Sequence, residues 1–233
     1  MTTRLVLIPG LAADASTWTA QTAAFPGASV SDVHFRHDTL PAMAAALLAE
    51  HDGDDALVLC GASMGGMIAL ECQRQAPQRV RGLALLGSSA RPDTPEIAAL
   101  RANAFAMIDA GRYDEMIEMN VPFSFHADRL AERELTQAYV DMLRRAGAAQ
   151  LVRQNLAVAA RIDSRPLLPA ISCPTLVVCG DADVVTPLEH SREIAAAVPG
   201  AELVVLERCG HMLTMEHPDE VNAVLARWLA RIG

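Results

Sequence analysis

Six short apolar runs recur along the chain, separated by longer segments with helical periodicity. Each run is almost continuously apolar, which is typical of strands buried on both faces of a parallel sheet. The predicted strands are Arg4–Ile8, Ser29–Phe35, Ala56–Cys60, Val80–Leu86, Thr175–Cys179 and Glu202–Leu206. The predicted helices beside them are Thr39–Glu50, Met64–Ala76, Leu188–Ala197 and Pro218–Ile232. This alternation indicates the α/β class, with a mostly parallel, doubly wound sheet.

The alternation is interrupted between the fourth and fifth predicted strands. Residues 91–165 show no strand pattern, and the helices predicted there are Glu96–Ala110, Tyr113–Asn120, Asp128–Arg145 and Ala149–Ala160. This segment carries a group of aromatic and methionine side chains: Phe105, Met107, Met116, Met119, Phe123, Phe125, Tyr139 and Met142. They indicate either an ordinary amphipathic core or a helical cap lining a pocket. We predict a core of residues 1–90 and 166–233 and a cap of residues 91–165.

Two helix starts have recognisable capping patterns. The stretch from Thr186 to Glu189 has the T-x-x-E capping-box pattern with Pro187 at the first helical position. The stretch from His217 to Glu220 places a proline and two acidic residues at a second start, where the helix dipole favours negative charge. We therefore expect helices to begin at both places.

The amino-acid composition excludes several classes of reaction and of binding partner. All 19 basic residues are arginine, so chemistry that needs a lysine, such as a pyridoxal phosphate Schiff base or a P-loop, is excluded. The net charge of −9 argues against broad binding to nucleic acid or to anionic membranes. The five cysteines form no C-x-x-C pair, which argues against a zinc ribbon or a disulfide framework.

The first residues carry an apolar run that superficially resembles a signal peptide. Only four apolar residues, Leu5 to Ile8, precede Pro9-Gly10, which is too short for the apolar region of a signal peptide. No stretch approaches the roughly 20 apolar residues of a membrane span. With unpaired cysteines expected in a reducing compartment, we predict a cytoplasmic protein. No pattern in the sequence sets an oligomeric state.

The strongest chemical signal is the pentapeptide Gly61-Ala62-Ser63-Met64-Gly65. It matches G-x-S-x-G, and it lies between a predicted strand and a predicted helix, as a nucleophile elbow requires. The alternative interpretation is a glycine-rich helix start in which Ser63 is an N-cap. In this context we predict that Ser63 is a nucleophile.

A serine nucleophile needs a base that is itself oriented by an acid. In elbow enzymes the acid and then the histidine follow the serine along the chain. Asp183 follows the fifth predicted strand, and His211 follows the sixth and is preceded by a glycine, which sets it apart from the other six histidines. Asp181 is the alternative acid, although its place in the turn also suits a hydrogen bond to backbone. We predict a catalytic triad of Ser63, Asp183 and His211.

Several motifs together resemble the α/β-hydrolase superfamily, above all its small capped bacterial esterases and 3-oxoadipate enol-lactonase-like members. The motifs are Pro9-Gly10 with Trp18, Gly61 to Gly66, Gly180 to Asp183 with Pro187, and Gly210-His211. The resemblance covers essentially the whole chain. It departs from many relatives in having Pro9 where they have a histidine. It also starts at what is usually the third strand of eight, so we expect a sheet without the first hairpin.

The resemblance implies an oxyanion hole made of two backbone N–H groups, those of Leu11 and Met64. It also implies a serine hydrolase of small carboxylic esters or lactones that works through an acyl-enzyme, with no metal and no cofactor. The expected partner is a small ester or lactone substrate.

The same triad supports other chemistry, which the sequence leaves open. The alternatives are carbon–carbon bond hydrolysis, perhydrolysis, acyl transfer, a small-molecule receptor and a catalytically dead scaffold. A C–C hydrolase would need a cation for its substrate carboxylate, for which Arg101, Arg144 and Arg145 are candidates. Because no arginine lies within the triad motifs, neutral esters or lactones are favoured over a dicarboxylate.

Overall fold

A sheet of parallel strands lies at the centre of the computed structural model, which describes residues 3–53 and 56–232. The strands are β1 (Thr3–Ile8), β2 (Ser29–Val30), β3 (Ala56–Ala62), β4 (Val80–Leu86), β5 (Thr175–Gly180) and β6 (Glu202–Leu206). Their order across the sheet is β2-β1-β3-β4-β5-β6. The order reverses between β1 and β3, and the crevice at such a switch point is where open α/β sheets bind ligands.

The continuous apolar runs are explained by burial on both faces of this sheet. Along β3, Leu57 and Leu59 belong to the cluster on one face, and Val58 and Cys60 belong to the cluster on the other. Successive side chains of a strand point to opposite faces, so both sets of positions must be apolar when helices cover both sides. This confirms the predicted class.

One strand prediction is wrong. The run Ser29–Phe35 pairs with β1 only at Ser29 and Val30, and residues Val33–Arg36 form a short helix. Val33 and His34 are fully buried, so the apolar character of this run reflects burial of a helical turn rather than of a strand. An apolar run this short does not by itself distinguish the two.

The helices of the described part of the chain cover both faces of the sheet and fill the segment between β4 and β5. They are α1 (Thr19–Ala24), α2 (Val33–Arg36), α3 (Leu40–Glu50), α4 (Met64–Gln75), α5 (Pro95–Asp109), α6 (Tyr113–Ser124), α7 (Arg133–Ala146), α8 (Ala148–Ala159), α9 (Leu188–Ala197), α10 (Leu213–Glu216) and α11 (Pro218–Leu229). Helices α3, α4 and α9 pack on one face, and α11 packs on the other. Across residues 3–53 and 56–232, no helix is both long enough and apolar enough to cross a membrane.

The inserted helices α5 to α8 occupy the segment in which four helices are predicted. The third begins later than expected, at Arg133 rather than Asp128, because Ala127–Arg129 is a 3-10 turn. Of the aromatic and methionine side chains singled out there, four are buried in a cluster of the inserted helices, namely Met116, Phe125, Tyr139 and Met142. Met119 and Phe123 are exposed. Treatment of residues 91–165 as a separate cap domain stays a prediction.

Both predicted helices begin close to the expected residues, but only one of the two predicted capping patterns is found. Helix α11 begins at Pro218 with two acidic residues in its first turn, as expected. Helix α9 begins at Leu188, but Pro187 is its N-cap and no side chain caps it. The Thr186 hydroxyl donates instead to Asp183 Oδ2 at 2.9 Å, so the capping-box prediction is wrong. The hydroxyl is thus bound to the carboxylate and accepts from no N–H group of α9.

Candidate active site

Ser63 lies in the sharp turn between β3 and α4. Its backbone has φ 53° and ψ −116°, outside the regions that L-residues ordinarily occupy. A Cβ on Gly61 would lie 2.2 Å from the Gly65 carbonyl oxygen, and a Cβ on Gly65 would lie 2.0 Å from the Ile8 carbonyl oxygen. The small residues of the pentapeptide therefore allow β1, β3 and α4 to approach each other closely at the serine.

His211 bridges Ser63 and Asp183. Its Nε2 lies 3.0 Å from Ser63 Oγ, and its Nδ1 lies 2.8 Å from Asp183 Oδ2. The three residues follow β3, β5 and β6, and the carboxyl ends of parallel strands meet at one edge of a sheet. The structure thus brings together all three residues predicted for the triad.

The surroundings of Asp183 keep it ionised. The carboxylate is buried and accepts hydrogen bonds from the N–H groups of Val185 and Thr186, both at 2.9 Å. Burial alone would raise the pKa of Asp183, but the charge and hydrogen bond of His211 and the bonds from Thr186 outweigh it and lower the pKa. An ionised carboxylate only accepts, so Nδ1 of His211 carries the proton and Nε2 presents a lone pair to Ser63.

The same ion pair tunes His211. Burial lowers the pKa of the imidazole, but the Asp183 carboxylate outweighs burial and raises that pKa above the ordinary value for histidine. The imidazolium that forms when the ring takes a proton is thereby stabilised. This is the electrostatic arrangement that a general base beside a serine requires.

The alternative residues lie elsewhere. Asp181 accepts a hydrogen bond from the Cys209 N–H at 3.1 Å, which is the backbone role weighed for it from the sequence. His34 is buried against the Ala13 carbonyl oxygen at 2.8 Å, and His217 binds Glu220 at 3.0 Å. Geometry therefore favours Asp183 and His211 over these residues.

The two backbone N–H groups expected to form an oxyanion hole flank the serine. Met64 follows it directly as the first residue of α4, whose first N–H groups have no partner within the helix. Leu11 follows Gly10, and a Cβ on Gly10 would lie 3.3 Å from the Cβ of Ser63. The loop after β1 thus lies against the serine, and the role of both donors stays a prediction.

Glu216 was not identified from the sequence, although it contacts the histidine turn. It is buried in α10, and its carboxylate accepts from the N–H groups of His126 at 2.8 Å and Gly210 at 3.0 Å. Burial raises the pKa of Glu216, and its charge contributes to the raised pKa of His211. The available signal was a single acidic residue ending the mostly apolar stretch 212–216.

The fold and this site define the class of protein. The model of the alpha/beta hydrolase family matches residues 5–224, and the chain belongs to that family. The predicted fold class and the family resemblance are confirmed.

The chain is similar to several characterised hydrolases. It is 30% identical over 175 residues to a pimeloyl-[acyl-carrier protein] methyl ester esterase of Neisseria meningitidis serogroup B, covering 71% of this chain and 66% of that relative. Among solved structures, a thermophilic esterase from Thermogutta terrifontis has a TM-score of 0.88 and 27% identity, over 100% of this chain and 91% of that one. The enol-lactonase from Burkholderia xenovorans LB400 has a TM-score of 0.86 over 99% of this chain and 92% of that one, and its 24% identity shows the shared fold alone.

Proposed function

We propose that the protein is a serine hydrolase of small carboxylic esters or lactones. One observation carries the proposal: Ser63 Oγ, the His211 ring and the Asp183 carboxylate form a continuous chain of hydrogen bonds of 3.0 and 2.8 Å. A serine hydroxyl becomes nucleophilic when an adjacent base can take its proton. The similarity to esterases supports the same class of reaction.

In the proposed first half-reaction, Ser63 Oγ forms a bond to the substrate carbonyl carbon and its proton passes to His211 Nε2. The carbonyl π electrons move to oxygen, giving a tetrahedral oxyanion. When this intermediate collapses, the C–O bond to the alcohol breaks and the alcohol oxygen takes the proton from Nε2. The products of this half are an acyl-enzyme and an alcohol, and for a lactone the alcohol remains attached to the acyl group.

The second half-reaction repeats these steps with water. His211 takes a proton from water, the resulting oxygen nucleophile attacks the acyl carbon, and collapse returns the proton to Ser63 as the acid leaves. In both halves, the oxyanion would be bound by the N–H groups of Leu11 and Met64. Such backbone donors stabilise charge in the transition state without any reorganisation. The proposed reaction uses no metal and no cofactor.

The arginines support a substrate without a carboxylate of its own. The three candidates for binding one are all engaged with acidic side chains: Arg101 with Asp93, Arg144 with Asp114 and Glu118, and Arg145 with Asp14. Recruiting any of them would break an existing ion pair. We therefore propose neutral esters or lactones as substrates, and neither nucleic acid nor membranes as partners.

The direct kinetic test replaces Ser63 with alanine. Turnover of a p-nitrophenyl ester by Ser63→Ala should fall roughly 10³-fold or more, because the nucleophile is gone while the rest of the site remains. Ser172→Ala is the matched control, since Ser172 is exposed before the start of β5, at the other end of the sheet. Retention of wild-type turnover by folded Ser63→Ala, judged by circular dichroism, would refute the proposed function.

A further inference from the structure

The loop after β1 contains a strained turn. The Ala13 N–H donates to the Gly10 carbonyl oxygen at 3.2 Å, which closes a four-residue turn from Gly10 to Ala13. Its third residue, Ala12, has φ 54° and is fully buried. A turn with positive φ at that position favours glycine, because a Cβ is disfavoured there. Something outside the turn must therefore hold Ala12 in place.

Gln154 of α8 binds Ala12 in this conformation. Its Oε1 accepts a hydrogen bond from the Ala12 N–H at 2.6 Å, although the two residues are 142 positions apart in the sequence. Its Nε2 donates to the His34 carbonyl oxygen at 2.9 Å. The His34 ring in turn lies 2.8 Å from the Ala13 carbonyl oxygen, so the contacts form a closed ring around the turn.

The ring of contacts is buried, and its donors and acceptors are fixed. Gln154, His34 and Ala12 all have no exposed surface. A carbonyl oxygen only accepts, so His34 carries its proton on Nε2, and burial lowers the pKa of His34, which keeps the imidazole neutral. Each donor in this ring faces an acceptor, and in a buried site the loss of one partner leaves the other unsatisfied.

The geometry of the turn links Gln154 to the reaction. The Gly10 carbonyl points into the turn, and a trans peptide holds the next N–H opposite its carbonyl, so the Leu11 N–H points out of the turn. Gly10 itself lies against Ser63. Rotation of the peptide groups around Ala12 would change the direction of the Leu11 N–H.

We propose that Gln154 is a positioning residue for the oxyanion hole, acting from an inserted helix through Ala12 on the Leu11 N–H. This inference rests on the proposed function and adds a residue that touches neither substrate nor triad. Arg145 also reaches this loop, through Asp14, but both side chains are partly exposed and such a pair contributes little. Gln154 is thus a buried polar link between the inserted helices and the loop, beside the apolar packing of Ala12 and Ala13 against those helices.

The test is Gln154→Met, which keeps the length of the side chain and removes both hydrogen bonds. With p-nitrophenyl ester substrates, kcat should fall about 10-fold while KM stays within about twofold, because a misaimed donor weakens binding of the transition state and not of the substrate. The inhibition constant of a boronic acid, which forms a tetrahedral adduct with the serine, should rise by a similar factor. Loss of packing alone would not produce this split.

Gln150→Met is the matched control. Gln150 lies one turn earlier on α8 and donates to the same His34 carbonyl oxygen at 2.8 Å, whereas the Ala12 N–H donates to Gln154. Its kcat should stay within about twofold of the wild type. Should Gln154→Met fail to fold, Gln154→Leu replaces it, since this apolar side chain also removes both hydrogen bonds and leaves little room for a water in their place.

The outcomes separate this inference from the proposed function. If Ser63→Ala is inactive but a folded Gln154 variant keeps wild-type kcat and boronic acid affinity, or changes KM alone, the positioning role is refuted and the proposed function stands. If Ser63→Ala retains turnover, the proposed function fails, and the inference fails with it.

Discussion

At the scale of single residues, the site is governed by two carboxylates acting on one imidazole. Asp183 contacts His211 directly, and Glu216 acts across the turn that carries it. Both stabilise the protonated ring, because a nearby negative charge favours the charged form of histidine. Since the serine needs the neutral ring as its base, kcat/KM should decline as pH falls through the raised pKa of His211.

Glu216→Gln should move the acidic limb of the kcat/KM profile to lower pH. Removing the negative charge destabilises the imidazolium, so His211 remains neutral at more acidic pH. The profile of each variant is normalised to its own plateau, which separates the effect of charge from any loss of the hydrogen bonds to His126 and Gly210. Asp181→Asn is the control, since it also loses a carboxylate that binds the backbone of this turn, at Cys209. If the acidic limb of the Glu216→Gln profile stayed at the wild-type pH or moved to higher pH, the account would be contradicted.

At the scale of elements, the elbow depends on how closely α4 approaches β1. The Gly65 backbone lies where a Cβ would be 2.0 Å from the Ile8 carbonyl oxygen and 2.8 Å from that of Pro9. Both atoms are backbone, so no side chain can move aside to make room. The serine turn and the oxyanion loop are therefore held by the same contact.

Gly65→Ala should lower the free energy of unfolding by about 3 kcal/mol, because the helix must separate from the strand to admit the methyl group. Chemical denaturation monitored by circular dichroism measures this. Gly27→Ala is the control, since nothing lies within 4 Å of its Cβ position, and it should change stability by less than about 0.5 kcal/mol. Equal stability of Gly65→Ala and the wild type would show that this approach is looser than described.

Some residues of the site could be predicted from the sequence, and others could not. The elbow was predictable because its strand, its glycines and its serine lie within a dozen consecutive residues, and the order of acid and histidine then led to Asp183 and His211. Gln154 and Glu216 were not, since Gln154 binds the distant Ala12 N–H, and Glu216 binds the distant His126 N–H besides that of nearby Gly210. Thr186 was assigned to a helix cap because the T-x-x-E pattern does not reveal that its hydroxyl binds Asp183, three residues earlier. Long-range contacts of polar side chains leave no periodic signal.

At the scale of the whole molecule, arginine supplies all 19 of the Lys and Arg side chains. Ion pairs of Arg145 with Asp14 and of Arg153 with Asp38 connect the inserted helices to the core. A largely buried group of charges lies where the insertion begins and ends. Asp93 binds Arg101 at 2.6 Å and Arg161 at 2.5 Å, with the three side chains 8%, 18% and 10% exposed. Arg161 also donates to the Arg91 carbonyl oxygen, so this cluster fastens both ends of the insertion.

Asp93→Asn should lower the free energy of unfolding by about 2 kcal/mol or more, since two largely buried guanidinium groups lose their counter-ion. Burial alone would raise the pKa of Asp93, but the arginines outweigh it and lower the pKa. The contribution of the carboxylate is therefore present above about pH 4 and is lost as pH falls through its folded-state pKa. The difference between variant and wild type should accordingly shrink in acid.

The matched control is Asp163→Asn, which removes an exposed pair with Arg165. Its cost should be less than about 1 kcal/mol. Equal effects of the two substitutions in urea denaturation would contradict a structural role for the buried cluster.

The central claim is that Ser63 is the nucleophile of a hydrolase, and covalent labelling tests it most directly. The protein is treated with a fluorophosphonate, its residual esterase activity is followed, and the modified residue is located by peptide mass spectrometry. We expect one adduct per chain, on Ser63, with activity lost in proportion to labelling and no labelling in His211→Ala. Activity that survives complete labelling of Ser63, or inactivation by an adduct on another residue, would contradict the account.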